Sequence, residues 1–395
     1  MDLGWGGKLL KRQLRAGHGP PVSDGARLSI VHRGVIAGRD FPCRETVFVL
    51  GQAASDLPLP VDLASAALRT MQEGELSAFR IDGSLVTCPE ALALWSQDGF
   101  EYVEEAYEWH VEVTSCRSAG LTSGSTLALR GGLEIPRLGL GLYMVSPADA
   151  YTATLEALRC GYRLIDTASM YQNEEAVGRA LRDAGVQRGE VFVVSKVNNP
   201  DHGYEAALQA IQRSCYNLGV SCVDLMLMHS PLGGRVLETW DALLEARRRG
   251  WARQVGVSNF GVEHLRRIQA AGREVPVVNQ FEVSPFCQEA SLRRCCEEMG
   301  IAVMGYSPLT RGQRLRDQRV VAIGQKHGRS PAQVLIRWAL QQGIVSIPKS
   351  IRAERLQENM DSFSFELDSA DLARLASCEE QLHTCWDCLN APWTG

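Results

Sequence analysis

The sequence predicts an α/β chain in which a (β/α)8 TIM barrel follows a smaller α+β domain. Three observations carry that expectation. Eight short apolar runs recur from about residue 137 onward. Segments of helical period lie between them. The first part of the chain lacks this rhythm and reads as scattered short strands with one helix. A chain of 395 residues also exceeds one ordinary domain core. The expected division is residues 1–116, a small polar linker at 117–126, and the barrel at 127–395.

The eight runs are "RLGLGLY" (137–143), "RLIDTA" (163–168), "VFVVSKV" (191–197), "DLMLMHS" (224–230), "QVGVSNF" (254–260), "VVNQFEV" (277–283), "IAVMGYSP" (301–308) and "IVSIPKS" (344–350). Near-continuous apolar strands separated by helices imply parallel strands buried on both faces. In "YEAALQAIQRSCYNLG", Leu208, Ile211, Cys215 and Leu218 fall on one helical face. "WDALLEARRRG" and "SPAQVLIRWALQQG" read the same way, each followed by glycine, the second opened by Ser330 and Pro331. A doubly wound sheet would need G-x-G-x-x-G after its first strand, which "LGLGLY" does not complete. "LALRGGLEIP" predicts a hairpin that plugs the barrel's lower end.

Before the barrel, "ARLSIVHRGV" and "TVFVLG" suggest strands, "DLASAALRTM" a helix and "EWHVEVTSC" a closing strand. Hydrophobic content of 45%, charged content of 22% and a net charge of -5 are globular values that argue against nucleic-acid binding. Neither a secretory h-region nor a run long enough to span a bilayer is present, so a cytoplasmic protein is expected. Its twelve cysteines are scattered and read as reduced thiols. "CWDC" (Cys385 to Cys388) has redox spacing but lies in an irregular tail, and no second pair completes a four-cysteine zinc site. No metal is expected.

Chemistry in such barrels collects at the C-terminal ends of strands. Those ends carry Asp166, Lys196, His229, Ser258 with Asn259, Gln280, Tyr306 with Ser307, and Lys349 with Ser350. Singly, each has an ordinary structural explanation as a turn, solvated or packing residue. Jointly, around one mouth, they suggest carbonyl reduction. Hydride transfer to a carbonyl leaves an alkoxide that needs a proton, and Tyr171 can supply it. A free phenol titrates near pH ~10, so an adjacent Lys196 ammonium is expected to lower that value. Asp166 would keep the buried lysine charged, and His229 would orient the carbonyl oxygen.

The same residues sit in blocks that resemble the aldo-keto reductases: "GYRLIDTASMYQNEEAVGRAL", "VSKV", "VDLMLMHSP", "VGVSNF", "VVNQFEVSPF", "GYSPLTRG" and "IPKSIRAERLQEN", in family order. The resemblance implies a barrel binding NADPH, with Asp166, Tyr171, Lys196 and His229 as catalytic tetrad. It implies Ser258, Asn259 and Gln280 on the cofactor amide, with Tyr306 stacked on the nicotinamide. Ser307 and Leu309 would lie along the pyrophosphate, and Lys349, Ser350, Arg355, Glu358 and Asn359 around the adenosine phosphate. Cations beside helix N-terminal amides in "KSIRAER" favour NADP over NAD. Asn198 and Ser230 replace common aromatics of the substrate pocket, and Tyr143 and Trp386 complete the expected substrate contacts.

Residues 1–116 are similar, through "VFVLGQ", "MQEGE" (Met71 to Glu75) and "EWHVEVTSC", to FKBP-type prolyl isomerases. Few of that family's pocket aromatics are kept, Phe41 among them, which implies binding or scaffolding and a protein partner. The leading expectation is NADPH-dependent reduction of a small carbonyl substrate. The alternatives are an NADPH-binding sensor barrel, and an isomerase or chaperone activity led by the N-terminal domain.

Overall fold

The computed structural model describes residues 121–395 throughout and, within residues 1–120, the backbone of six strands. These are β1 (Leu9–Arg15), β2 (Ala26–Ile36), β3 (Arg39–Asp40), β4 (Arg44–Val49), β5 (Leu76–Ile81) and β6 (Tyr107–Ser118). They form one antiparallel sheet in the order β1-β5-β6-β2-β3, with β4 also on β2. The strands expected at "ARLSIVHRGV", "TVFVLG" and "EWHVEVTSC" correspond to β2, β4 and β6. The helix expected at "DLASAALRTM", the "MQEGE" element and Phe41 lie outside the described residues. The chain divides into two compact units, Met1–Gly120 and Leu121–Gly395.

The second unit opens with a hairpin of β7 (Thr126–Ala128) and β8 (Glu134–Pro136). Eight parallel strands follow: β9 (Leu140–Gly141), β10 (Leu164–Asp166), β11 (Phe192–Val197), β12 (Val223–Met228), β13 (Ala252–Ser258), β14 (Val278–Glu282), β15 (Ala302–Tyr306) and β16 (Val345–Ile347). Each pairs with its sequence neighbours. The ring is closed by backbone bonds from Gly139 N to Ser346 O (2.9 Å), Ser346 N to Arg137 O (2.9 Å) and Gly141 N to Pro348 O (3.2 Å). A Cβ at Gly141 would come within 2.8 Å of the Ile347 carbonyl, so the seam needs glycine there.

Outside the strands run α1 (Pro147–Arg159), α2 (Glu174–Asp183), α3 (Tyr204–Leu218), α4 (Val236–Arg248), α5 (Val262–Ala270), α6 (Ala290–Glu298), α7 (Gln318–His327), α8 (Pro331–Gln341), α9 (Ala353–Met360) and α10 (Ser369–Ala376). Leu208, Ile211, Cys215 and Leu218 are all buried on α3, as the period predicts. Gly219 ends that helix with a left-handed φ of 65°, a conformation glycine takes without Cβ strain. Ser330 caps α8 in a capping box with Gln333. None of these helices is long and apolar enough to cross a membrane.

The strand period of two decides what reaches the barrel's interior. Leu164, Phe192, Val194, Leu225, Leu227, Val278, Met304, Val345 and Ile347 pack together inside. Leu129 and Ile135 of the hairpin join this cluster, as the plug expectation required. The alternate residues, including Ile165, Val193, Met226, Val257 and Phe281, face the helices. Counting two onward from the inward residues reaches Asp166, Lys196, His229, Gln280 and Tyr306. The apolar floor and the polar mouth are therefore successive positions of the same strands.

Candidate active site

Asp166 ends β10, Lys196 sits near the end of β11, and His229 follows β12. Tyr171 closes a 3-10 turn, Ser169–Tyr171. That turn is pinned at several points. Ser169 Oγ donates to the Lys196 carbonyl (3.0 Å) and Thr167 Oγ1 to Asn173 Oδ1 (2.6 Å). Asn173 Nδ2 then donates to the carbonyls of Leu142 and Val145. The five-residue step from Asp166 to Tyr171 is thus a fixed excursion over the rim.

Lys196 is wholly enclosed (0% exposed) and Asp166 nearly so (2%). Lys196 Nζ donates to Asp166 Oδ1 at 2.7 Å and to the Thr167 carbonyl at 2.9 Å. Gln280 Nε2 donates to the other carboxylate oxygen at 2.7 Å. Nζ also lies 5.0 Å from the centre of the Tyr171 ring. The Tyr171 ring is 5.2 Å from that of Tyr143 and 5.6 Å from that of His229. His229 in turn faces Trp386 at 5.3 Å.

Burial lowers the Lys196 pKa, while Asp166 opposes the shift. Burial, and then Lys196, holds His229 well below its ordinary value, so the imidazole is neutral at pH 7. Its Nδ1 has no hydrogen-bond partner among the described residues. The expectation that Lys196 lowers the Tyr171 pKa is corrected. Burial, followed by the Asp166 charge, raises it well above the ordinary phenol range. The ammonium is already neutralised by Asp166, so desolvation of the phenolate wins. Tyr171 is accordingly a protonated donor throughout the neutral range.

These groups face a cavity of about 440 Å³, within the usual range for small-molecule sites. Its lining includes Asp166, Tyr171, His229, Tyr143 and Trp386, together with Ser258, Asn259, Gln280, Tyr306, Ser307, Leu309, Lys349 and Arg355. Lys196 is not on this lining and is bonded to Asp166, which is. Tyr306 Oη donates to Asn259 Oδ1 (2.7 Å), and Asn259 Nδ2 donates to the His229 carbonyl (3.0 Å). Met144, Asn259, Ser307 and Arg311, all on the cavity wall, have left-handed φ values of 49–61°. Such backbone is costly for residues with a Cβ and concentrates at functional sites.

The remaining positions lie off this wall. Ser350 Oγ accepts the Arg352 amide (3.2 Å) just before α9. Glu358 gives its carbonyl to Gln333 Nε2 (3.0 Å), and Asn359 is buried. Asn198 Oδ1 caps the Asn199 amide (2.9 Å), and Ser230 Oγ donates to Asn199 Oδ1 (2.8 Å). Asn198 and Ser230 therefore buttress each other's turn through Asn199.

Sequence reasoning missed the C-terminal clasp. Glu282, the last residue of β14, accepts the Thr384 amide (2.9 Å), the Cys385 amide (3.0 Å) and the Thr384 hydroxyl. Cys385 Sγ sits 3.3 Å from Ser307 Oγ on the cavity wall. The strand-end rule carried one step past Gln280 would have reached Glu282. Cys385 adjoins Trp386, which the resemblance placed at the pocket, but its contact with Ser307 depends on how the tail returns.

A barrel with this mouth defines a class, the (β/α)8 oxidoreductases. More specifically, the model of the aldo/keto reductase family matches residues 137–380, and the chain belongs to that family of NADP(H)-dependent oxidoreductases. An aldo-keto reductase of Mycolicibacterium smegmatis is 42% identical over 64% of this chain and 93% of its own length. A glyoxal reductase of Bacillus subtilis is 41% identical over 63% of this chain and 91% of its own. Among solved structures, a Bombyx mori aldo-keto reductase in complex with NADP superposes with a TM-score of 0.65. It is 33% identical, over 68% of this chain and 97% of its own.

Proposed function

We propose that the protein reduces small aldehydes and ketones to alcohols with NADPH, Tyr171 acting as the general acid. The carrying observation is the buried Lys196–Asp166 pair at 2.7 Å beneath the Tyr171 ring and beside a neutral His229. In this reading His229 and Tyr171 hold the carbonyl oxygen between them. The Tyr171 proton passes to that oxygen as the carbon accepts hydride, and Lys196 faces the phenolate left behind. NADPH, when bound, supplies the hydride. The small-carbonyl class is supported by the glyoxal reductase relative and by aromatic walls at Tyr143 and Trp386.

The cavity fits the cofactor. Ser258, Asn259 and Gln280 offer amide and hydroxyl groups to a carboxamide, and Tyr306 offers a ring face to its pyridine. Lys349 and Arg355 are exposed cations on the same lining, neither paired to a carboxylate among the described residues, and they would hold the 2′-phosphate. Ser350, Glu358 and Asn359 would support them from around α9. Asn198 and Ser230 would shape the substrate rim.

The test follows NADPH absorbance over a panel of aldehydes, comparing wild type with Tyr171→Phe. A general acid contributes about 10²–10⁴-fold, so the variant should lose that much turnover while NADPH affinity stays. Equal traces would end the proposal.

For residues 1–116 the proposal is an FKBP-like domain that binds a protein partner, joined through 117–126 to the barrel at 127–395. Its support is the order of "VFVLGQ", "MQEGE" and "EWHVEVTSC". Isomerisation of a proline peptide by the full chain should run at the uncatalysed rate, and acceleration would overturn the binding role. A cytoplasmic setting is part of the same reading.

A further inference from the structure

The tail that reaches the cavity is held at a second place, where the chemistry is of another kind. The loop after β14 carries Cys287 and Glu289, and the tail carries His383. Their ligand atoms converge. Cys287 Sγ lies 3.7 Å from His383 Nδ1 and 3.9 Å from Nε2. Cys287 Sγ is 3.9 Å from Glu289 Oε1, which is 3.4 Å from His383 Nε2. All three donor atoms fall within 4.8 Å of one another.

A tetrahedral zinc ion bonds sulfur at about 2.3 Å and nitrogen or oxygen at about 2.0–2.2 Å, so its ligand–ligand edges are roughly 3.4–3.6 Å. The nitrogen–oxygen edge here has that length, and the two edges to sulfur exceed it by a few tenths of an ångström. Cys287 is buried at 1% exposure, whereas His383 and Glu289 keep 21% and 25% of their side chains accessible. Thiolate, imidazole and carboxylate together form a borderline-soft donor set suited to zinc. The surroundings are anionic, with Glu379 and Asp387 acting on Glu289 and Glu282 acting on Cys287.

We propose that Cys287, Glu289 and His383 bind one divalent transition-metal ion of the zinc class, clamping the C-terminal tail to the barrel rim. Binding forms the metal–sulfur bond and releases the thiol proton to solvent. Water takes the fourth position. The clamp stands next to the cavity in sequence, because Thr384 and Cys385 are fixed by Glu282 and Trp386 faces His229. Metal occupancy thereby sets how firmly the roof over the site is held.

The test uses the full chain, stripped by a chelator and titrated with Co²⁺. One equivalent should produce visible ligand-field bands and a near-ultraviolet thiolate-to-cobalt band, both displaced by Zn²⁺. Cys287→Ser should lose the thiolate band. His383→Gln, at a partly exposed position, should weaken binding at least tenfold, whereas Cys160→Ser should leave it unchanged. No bands, or equal binding by His383→Gln, overturns the site. Proteolysis of the tail should slow several-fold with Zn²⁺ in wild type and not in His383→Gln. Cleavage indifferent to Zn²⁺ in wild type overturns the clamp.

Discussion

Replacing Asp166 by asparagine keeps the shape of the side chain and removes the charge that holds Lys196. Both groups are buried, and Nζ keeps only the Thr167 carbonyl as a second acceptor. Removing one partner of a buried ion pair costs about 3–5 kcal/mol. At about 2–3 °C per kcal/mol for a domain of this size, the melting temperature of the barrel should fall by roughly 6–15 °C. The pH dependence gives a sharper check. The folded Lys196 pKa is already lowered, and in Asp166→Asn it falls further. Between the folded value of the variant and the higher folded value of the wild type, only the variant takes up a proton on unfolding. Its deficit therefore narrows as pH rises through that interval, by at most about 1.4 kcal/mol per pH unit, and is constant above it. Urea denaturation at pH 7, 8 and 9 measures it. A variant within 1 kcal/mol of wild type at pH 7, or a deficit that widens as pH rises, would refute the claim that Asp166 keeps Lys196 charged.

His202, His229 and His264 all have pKa values lowered first by burial. Their unfolded counterparts take up protons near pH ~6.5, so stability should fall as pH drops through that value. His229→Gln should flatten the fall in denaturation curves between pH 7.5 and 5.5, and an unchanged slope would count against a buried neutral His229. Lys349→Ala and Arg355→Ala should each raise the NADPH KM by about five- to tenfold, a charge-assisted hydrogen bond discounted for exposure. Neither should change the NADH KM, and equal effects on both would argue against a 2′-phosphate contact. Gly261→Ala would drive its Cβ into the Leu389 carbonyl. The displaced tail should show as faster C-terminal proteolysis and a raised substrate KM in NADPH assays, with kcat less affected.

Much of the barrel was legible in the order of its residues. The eight apolar runs became β9 to β16 because a strand buried on both faces must be apolar along its length. Glycine and proline at the helix ends acted through local backbone preference, and serine through a local side-chain cap. The polar strand ends followed from period two and a shared direction, which brought Asp166, Lys196, His229, Gln280 and Tyr306 inward together. What failed was electrostatic. The sequence suggests a lysine that acidifies Tyr171, but enclosure costs the phenolate more than a neutralised ammonium returns.

Sequence by itself thus determined the strands and helices of the barrel, the family and the residues that face the barrel's mouth. These depend on local period, local backbone preference and a repeated unit. The family resemblance placed Trp386 of the tail at that mouth, and tertiary structure alone decided the tail's other contacts there. It brought Cys385 to Ser307, Thr384 to Glu282, and His383 to Cys287 and Glu289, residues about a hundred positions apart along the chain in two of the three contacts. No periodicity links such positions, because an irregular segment is placed by the surface it returns to and not by its own pattern of residues.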